Sequence, residues 1–116
     1  MYSLKALVLE GCPYCEKLKE LLTEYDIPTE YIETTFENKN EFKKKYNIET
    51  FPQVYLIKNK EDKGVAIGGY TDVKDIVDQI KTNNYDKIKE YIENKYYFIS
   101  NKKMLRLIET FARVNL

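Results

Sequence analysis

Apolar and polar positions change their spacing several times along the chain, and each change marks an element. Leu4 to Leu9 is a short run, apolar except for Lys5, that reads as a buried strand. Gly11 allows a tight turn, and Pro13 has the preset φ that suits the first position of a helix. Leu18, Leu21, Leu22 and Tyr25 then recur at helical spacing among Lys and Glu, which predicts an amphipathic helix of about three turns ended by Ile27-Pro28. Thr29 to Thr34 alternates and predicts a second strand. Residues 37 to 46 are polar, with Phe42 and Tyr46 four apart, and predict a modest helix packing one edge, broken by Thr50-Phe51-Pro52. Gln53 to Ile57 and Val65 to Ile67 are β-rich runs around the charged, turn-like stretch Lys58 to Lys63, so they form an antiparallel hairpin. Gly68-Gly69 closes it. From Asp72 a helix resumes, with Val73, Ile76, Val77 and Ile80 on one face.

The resulting order is β-α-β-α-β-β-α, complete by about residue 82. A parallel pair joined by a helix, followed by a hairpin and a helix, is the pattern of a thioredoxin-like α/β fold. Asn83-Asn84 marks a turn, and two further helical patterns follow. One carries Ile88, Tyr91, Ile92 and Tyr96; the other carries Leu105, Ile108 and Phe111 with Ala112 beside them, after a connection near Ser100-Asn101. The organisation is therefore a domain over 1–82 and a C-terminal helical extension over 83–116, packed on the same domain. The extension's apolar stripes are expected to cover a sheet face or a helix, because Tyr96-Tyr97-Phe98-Ile99 is too apolar to lie free. A docking surface is the alternative.

Composition narrows the function. At 116 residues the chain makes one ordinary domain. Lys plus Arg and Asp plus Glu both number 19, so no global field draws in nucleic acid, and Lys102, Lys103, Arg106 and Arg113 read as a solvated basic face. There is no His, which excludes Cys–His and Ser–His pairs and His metal sites within the chain. The abundance of Lys, Asn, Ile and Tyr reads as nucleotide bias. No stretch approaches the roughly 20 apolar residues of a membrane span, and the apolar start lacks a signal-peptide core and cleavage site. The expected location is cytoplasmic, where two cysteines point to redox or metal chemistry rather than a structural disulfide.

Those cysteines stand in Cys12-Pro13-Tyr14-Cys15, after a strand and at the start of a helix. The unpaired N–H groups and dipole of the helix start stabilise a thiolate at Cys12. Two intervening residues bring Cys15 round the first turn, within disulfide reach and facing inward. Cys12 is the expected nucleophile and Cys15 the resolving thiol. Such a pair is also half of a zinc or iron–sulfur site, but with no further Cys or His a cluster would need a second chain or outside thiolates.

Two other runs support this site. A cis Pro52 would leave the Phe51 backbone free to pair with a peptide-like substrate as a short strand; the alternative is an ordinary proline at a helix–strand junction. In Gly68-Gly69-Tyr70-Thr71-Asp72 the glycines permit close backbone approach. Thr71 and Asp72 stand at a helix N-terminus, where N–H groups bind a carboxylate and Asp72 accepts from an ammonium. Asp72 would serve equally as a plain N-cap.

Together the three runs resemble the glutaredoxin family, whose dithiol members carry Cys-Pro-Tyr-Cys, Thr-Val-Pro and Gly-Gly-x-x-Asp in this order. The resemblance covers residues 1 to about 82. It implies a central four-stranded mixed sheet flanked by helices, to which this chain adds two C-terminal helices. It implies a glutathione-dependent disulfide oxidoreductase that reduces protein disulfides and glutathione mixed disulfides. Glutathione would be a co-substrate, with no tightly bound cofactor and no metal. Cys12 would form the mixed disulfide; Pro13, Tyr14, Thr50, Phe51, Pro52, Gly69, Thr71 and Asp72 would bind glutathione. Within that set Tyr14 flanks the sulfur, Phe51 pairs with the cysteinyl backbone, and Thr71 with Asp72 holds the γ-glutamyl end. The expected partners are glutathione and protein disulfides, with ribonucleotide reductase a family-level expectation; the expected state is a monomer with no nucleic-acid or membrane partner.

The sequence departs from the family at Leu9 and Ile48, where many members carry a Lys or Arg and a Gln that hold the glycyl carboxylate of glutathione. Lys17 or a lysine among 43 to 45 are the available substitutes. Phe51 replaces the usual Val. Two alternatives follow: a thioredoxin-like reductant fed by another donor, motivated by Leu9 and Ile48, and an iron–sulfur-bridged dimer.

Overall fold

The computed structural model describes residues 2–60 and 63–113; Met1 and residues 61, 62 and 114–116 lie outside it, and with them part of the charged stretch expected as a turn over 58–63. Four strands, β1 (Ser3–Leu9), β2 (Thr29–Thr34), β3 (Gln53–Ile57) and β4 (Val65–Gly68), form one sheet in the order β2-β1-β3-β4. β1 runs parallel to β2, with Leu7 opposite Ile32, and antiparallel to β3, with Leu4 opposite Leu56. β3 and β4 form the antiparallel hairpin, with a register shift between Val54 and Tyr55. The helices are α1 (Pro13–Glu24), α2 (Lys39–Tyr46), α3 (Tyr70–Lys81), α4 (Tyr85–Lys95) and α5 (Asn101–Ala112). This is the expected thioredoxin-like mixed sheet with two C-terminal helices.

Side chains alternate across a strand, so one face of β1 and β3 feeds the main core through Leu4, Ala6, Val8, Val54 and Leu56. Leu18 and Leu22 of α1 and Val73, Ile76 and Val77 of α3 close over it. The same core contains Ile88, Ile92 and Tyr96 from α4 and its cap, and Met104, Leu107, Ile108 and Phe111 from α5. Burial of such side chains stabilises by roughly 1.5–3 kcal/mol each, so the extension shares in the central core of the molecule.

The element ends follow local chemistry. α1 stops at Glu24, before the expected Ile27-Pro28, because Asp26 turns left-handed (φ 54) and Ile27 N–H returns to Leu22 O. α2 starts at Lys39, stops at a left-handed Asn47 and buries no residue; Phe42 instead packs against Tyr46 and Phe51, with ring centroids 4.6 and 5.8 Å apart. Asn84 and Ser100 cap α4 and α5 by accepting from Lys87 N–H and Lys103 N–H.

Three expectations need correction. α3 begins at Tyr70, with Gly69 as its N-cap, so Asp72 is a first-turn residue and not the cap. The buried stripe of α5 is Met104, Leu107, Ile108 and Phe111, while Leu105 is only half-buried. Both stripes are apolar in sequence, and packing on the shared core selects one. Finally, of the Tyr96–Ile99 run only Tyr96 is buried. Tyr97 is 83% and Phe98 62% exposed, because the run forms the bend between α4 and α5 and its side chains diverge.

Candidate functional site

The interior strand β1 ends at Leu9, and a turn closed by Cys12 N–H to Leu9 O leads into α1. Gly11 sits in that turn at φ +76, a conformation that favours glycine. Cys12 is the N-cap of α1 and Pro13 its first residue, as the sequence implies. Cys12 is half-buried and Cys15 fully buried, and both are free thiols. Cys12 Sγ accepts the Cys15 N–H at 3.3 Å, so a helix-start N–H faces the sulfur at the positive end of the dipole. Cys15 Sγ accepts the Leu9 N–H at 3.4 Å. Burial, and then its hydrogen bond to Cys12, push the Cys15 thiol up to about 12. The two sulfurs are thus electrically distinct: one caps a helix beside solvent, the other is a protonated core thiol.

Cys12 Sγ also lies 4.0 Å from the carbonyl oxygen of Phe51, and the Phe51-Pro52 peptide is cis. Next to these, Tyr14, Phe51, Pro52, Gly69, Tyr70, Thr71 and Asp72 line one groove. Tyr14 packs on Tyr70 with centroids 5.9 Å apart. The groove unites six of the residues expected from the sequence. Pro13 and Thr50 are not among its lining residues; Thr50 Oγ1 accepts from Gln53 Nε2 at 2.9 Å. Tyr70, to which the sequence assigned no role, forms one wall. It belongs to the Gly68-Gly69-Tyr70-Thr71-Asp72 run.

Asp72, also in the groove lining, reaches back, and its Oδ2 accepts the Gly69 N–H at 2.9 Å. Its Oδ1 lies 2.6 Å from Lys95 Nζ, at the end of α4. Burial works to raise the Asp72 carboxyl, but the Lys95 ammonium and the Gly69 N–H outweigh it and hold the group below its ordinary value. Lys95 is correspondingly held above its ordinary value: burial opposes the charge, and the bonds to Asp72 and to Tyr91 prevail. Lys95 and its neighbour Tyr96 are site-adjacent residues that no local sequence signal reveals, since their partners are distant in the chain.

Two further cations flank the groove. Lys17 Nζ stands 5.1 Å from the Tyr14 ring centroid and Lys43 Nζ 5.9 Å from that of Phe51. Lys19, by contrast, is tied to Glu33 at 3.2 Å and Glu16 at 3.7 Å. Among the described residues no cluster of three or more Cys, His, Asp or Glu forms that could hold a metal ion, and no helix is long and apolar enough to cross a membrane.

A thioredoxin-like sheet that presents a helix-capping cysteine, a buried partner thiol and an adjoining groove defines a thiol–disulfide oxidoreductase. The family model for glutaredoxin matches residues 1–61, and the chain belongs to that family. The match takes in Cys12, Cys15 and Phe51-Pro52 and stops short of Gly69 to Asp72. Among solved structures, the chain is similar to glutaredoxin 1 from Francisella tularensis, a crystal structure in complex with cacodylate. That comparison has 24% identity and a TM-score of 0.56, over 71% of this chain and 99% of the other. A solution structure of glutaredoxin from Brucella melitensis gives 26% identity and a TM-score of 0.45 over 70% of this chain and 84% of the other. No curated protein matches the chain by sequence.

Proposed function

We propose that the protein is a glutathione-dependent dithiol oxidoreductase of the cytoplasm, acting as a monomer on protein disulfides and glutathione mixed disulfides. The observation that carries this reading is the 4.0 Å approach of Cys12 Sγ to the carbonyl of Phe51, which lines one groove together with Asp72. A tripeptide bound along it would set its sulfur beside Cys12, its cysteinyl backbone along Phe51, and its γ-glutamyl ammonium and carboxylate at Asp72 and the α3 N-terminus. Tyr14 would flank the sulfur. Lys17 and Lys43 are the cations at hand for the glycyl carboxylate, in place of the side chains that Leu9 and Ile48 do not supply.

With a glutathione mixed disulfide, the Cys12 thiolate attacks the glutathione sulfur and the substrate leaves as a thiolate. A second glutathione thiolate then attacks the Cys12-bound sulfur, releasing oxidised glutathione and restoring Cys12. With a protein disulfide, Cys12 first becomes bonded to the substrate. That step removes the Cys12 negative charge and hydrogen bond that help keep Cys15 protonated, so Cys15 loses its proton more readily. Cys15 then attacks Cys12 Sγ and releases the reduced substrate, leaving a Cys12–Cys15 disulfide for two glutathiones to reduce. No resident cofactor takes part.

The test is turnover of a glutathionylated peptide and of a protein disulfide, with glutathione, glutathione reductase and NADPH. Cys12→Ser is expected to abolish both activities. Cys15→Ser is expected to retain the first and lose the second. An active Cys12→Ser enzyme would overturn the assignment. Turnover with thioredoxin reductase and none with glutathione would make the protein a reductant fed by another donor. Visible absorbance of anaerobically purified protein would indicate a bridged cluster instead.

A further inference from the structure

The end of α4 grips both sides of the Gly68-Gly69 turn. Tyr96 Oη donates to Ile67 O at 2.8 Å, before the turn, and Lys95 Nζ pairs with Asp72 Oδ1 at 2.6 Å, after it. Lys95 is fixed in place, with Nζ 3.3 Å from Tyr91 Oη and lying 5.7 and 5.8 Å from the ring centroids of Tyr91 and Tyr96. Since Asp72 Oδ2 already accepts the Gly69 N–H, both oxygens of this groove-lining carboxylate are engaged from within the chain. A ligand ammonium arriving at Asp72 must share the carboxylate with a second cation, and the two cations repel one another. The Lys95 side chain is 29% exposed, so solvent screens that repulsion only in part.

We infer that Lys95 is a specificity-determining residue, through which the C-terminal extension competes with the ligand's ammonium for Asp72 and lowers the affinity of the groove for amine-bearing thiol peptides. The inference rests on the reading that Asp72 receives the γ-glutamyl ammonium. It assigns the extension a part in ligand selection in addition to its share of the core. Lys95 acts through Asp72 and touches no reacting atom, so its effect belongs in KM and leaves kcat unchanged.

The experiment compares wild type, Lys95→Met and Lys95→Arg with glutathione and with N-acetylglutathione, which lacks the ammonium. Lys95→Met is expected to lower KM for glutathione roughly threefold or more, on the scale of an exposed ion pair, with kcat unchanged. That gain is expected to vanish with N-acetylglutathione, and Lys95→Arg to keep the wild-type KM. NMR titration of the Asp72 carboxyl is expected to move upward in Lys95→Met and to stay in place in Lys95→Arg. If wild type turns over glutathione and Lys95→Met leaves KM unchanged, raises it, or lowers it equally for both thiols, the inference is overturned while the proposed function stands. If no form uses glutathione although the Asp72 titration still moves, the proposed function fails and takes the inference with it.

Discussion

The backbone N–H of Cys15 donates to Cys12 Sγ at 3.3 Å, while the Cys15 sulfur sits fully buried behind it and takes the Leu9 N–H. One residue thus supplies both the N–H that faces the outer sulfur and the second thiol. Only the outer sulfur can meet a bulky disulfide, so the order of the two attacks is built into the first turn of α1.

The same burial makes Cys15 a source of pH dependence. Its ordinary value of 9.0 is raised to about 12, chiefly by burial and then by the Cys12 hydrogen bond. Between those values the unfolded chain has released the proton and the native protein keeps it. The native state then binds more protons, and stability falls as pH rises from 9 toward 12; below 9 the contribution is fully present. Denaturant midpoints of wild type and Cys15→Ser, measured from pH 8 to 10.5, are expected to converge with rising pH. A constant difference across the range would show that Cys15 is not the group responsible.

Tyr96 ties the extension to the turn beneath the groove. Tyr96→Phe removes the O–H that donates to Ile67 O, a buried hydrogen bond, at an expected cost of roughly 0.5–1.5 kcal/mol. Urea unfolding is expected to show a lower midpoint with an unchanged m-value.

Gly68 has φ +126, and a Cβ built there would run into the Asp72 carboxylate. Gly68→Ala therefore forces a strained backbone, costing roughly 1–3 kcal/mol, and displaces Asp72. Steady-state kinetics are expected to show a KM for glutathione raised more than kcat is lowered. A variant with wild-type KM and reduced stability would confine the role of Gly68 to the fold.

How far the sequence could be read depends on the range of each interaction. The strand–helix order, the N-cap position of Cys12, Pro13 at the first helical residue and the hairpin all arise from neighbours within a few positions, and all are legible in the residues themselves. Three separated runs also stand out by residue type: two cysteines at a fixed spacing, an X-Pro pair, and a Gly-Gly run followed by a carboxylate. Their assembly into one groove, with Tyr70 added and Thr50 turned toward Gln53, needed the folded chain.

The extension shows the division most clearly. Helical spacing after residue 84 predicts two helices, and Asn84 and Ser100 cap them as such residues do. Apolar residues at 104, 105, 107, 108, 111 and 112 leave the buried stripe of α5 undecided, and packing against the shared core chose Met104 and Leu107 over Leu105. Tyr97 and Phe98 are as apolar as Tyr96, yet only Tyr96 points inward from the bend. The pairing of Lys95 with Asp72 leaves no trace in the local pattern: a lysine at the end of a helix is ordinary, and its partner lies 23 positions earlier. The order of the elements and the thiol pair follow from local backbone preference and residue type, and are legible in the residues. Which charge meets Asp72 depends on the fold, because an ion pair depends on distance in space, and the burial of α4 and α5 in the common core sets that distance.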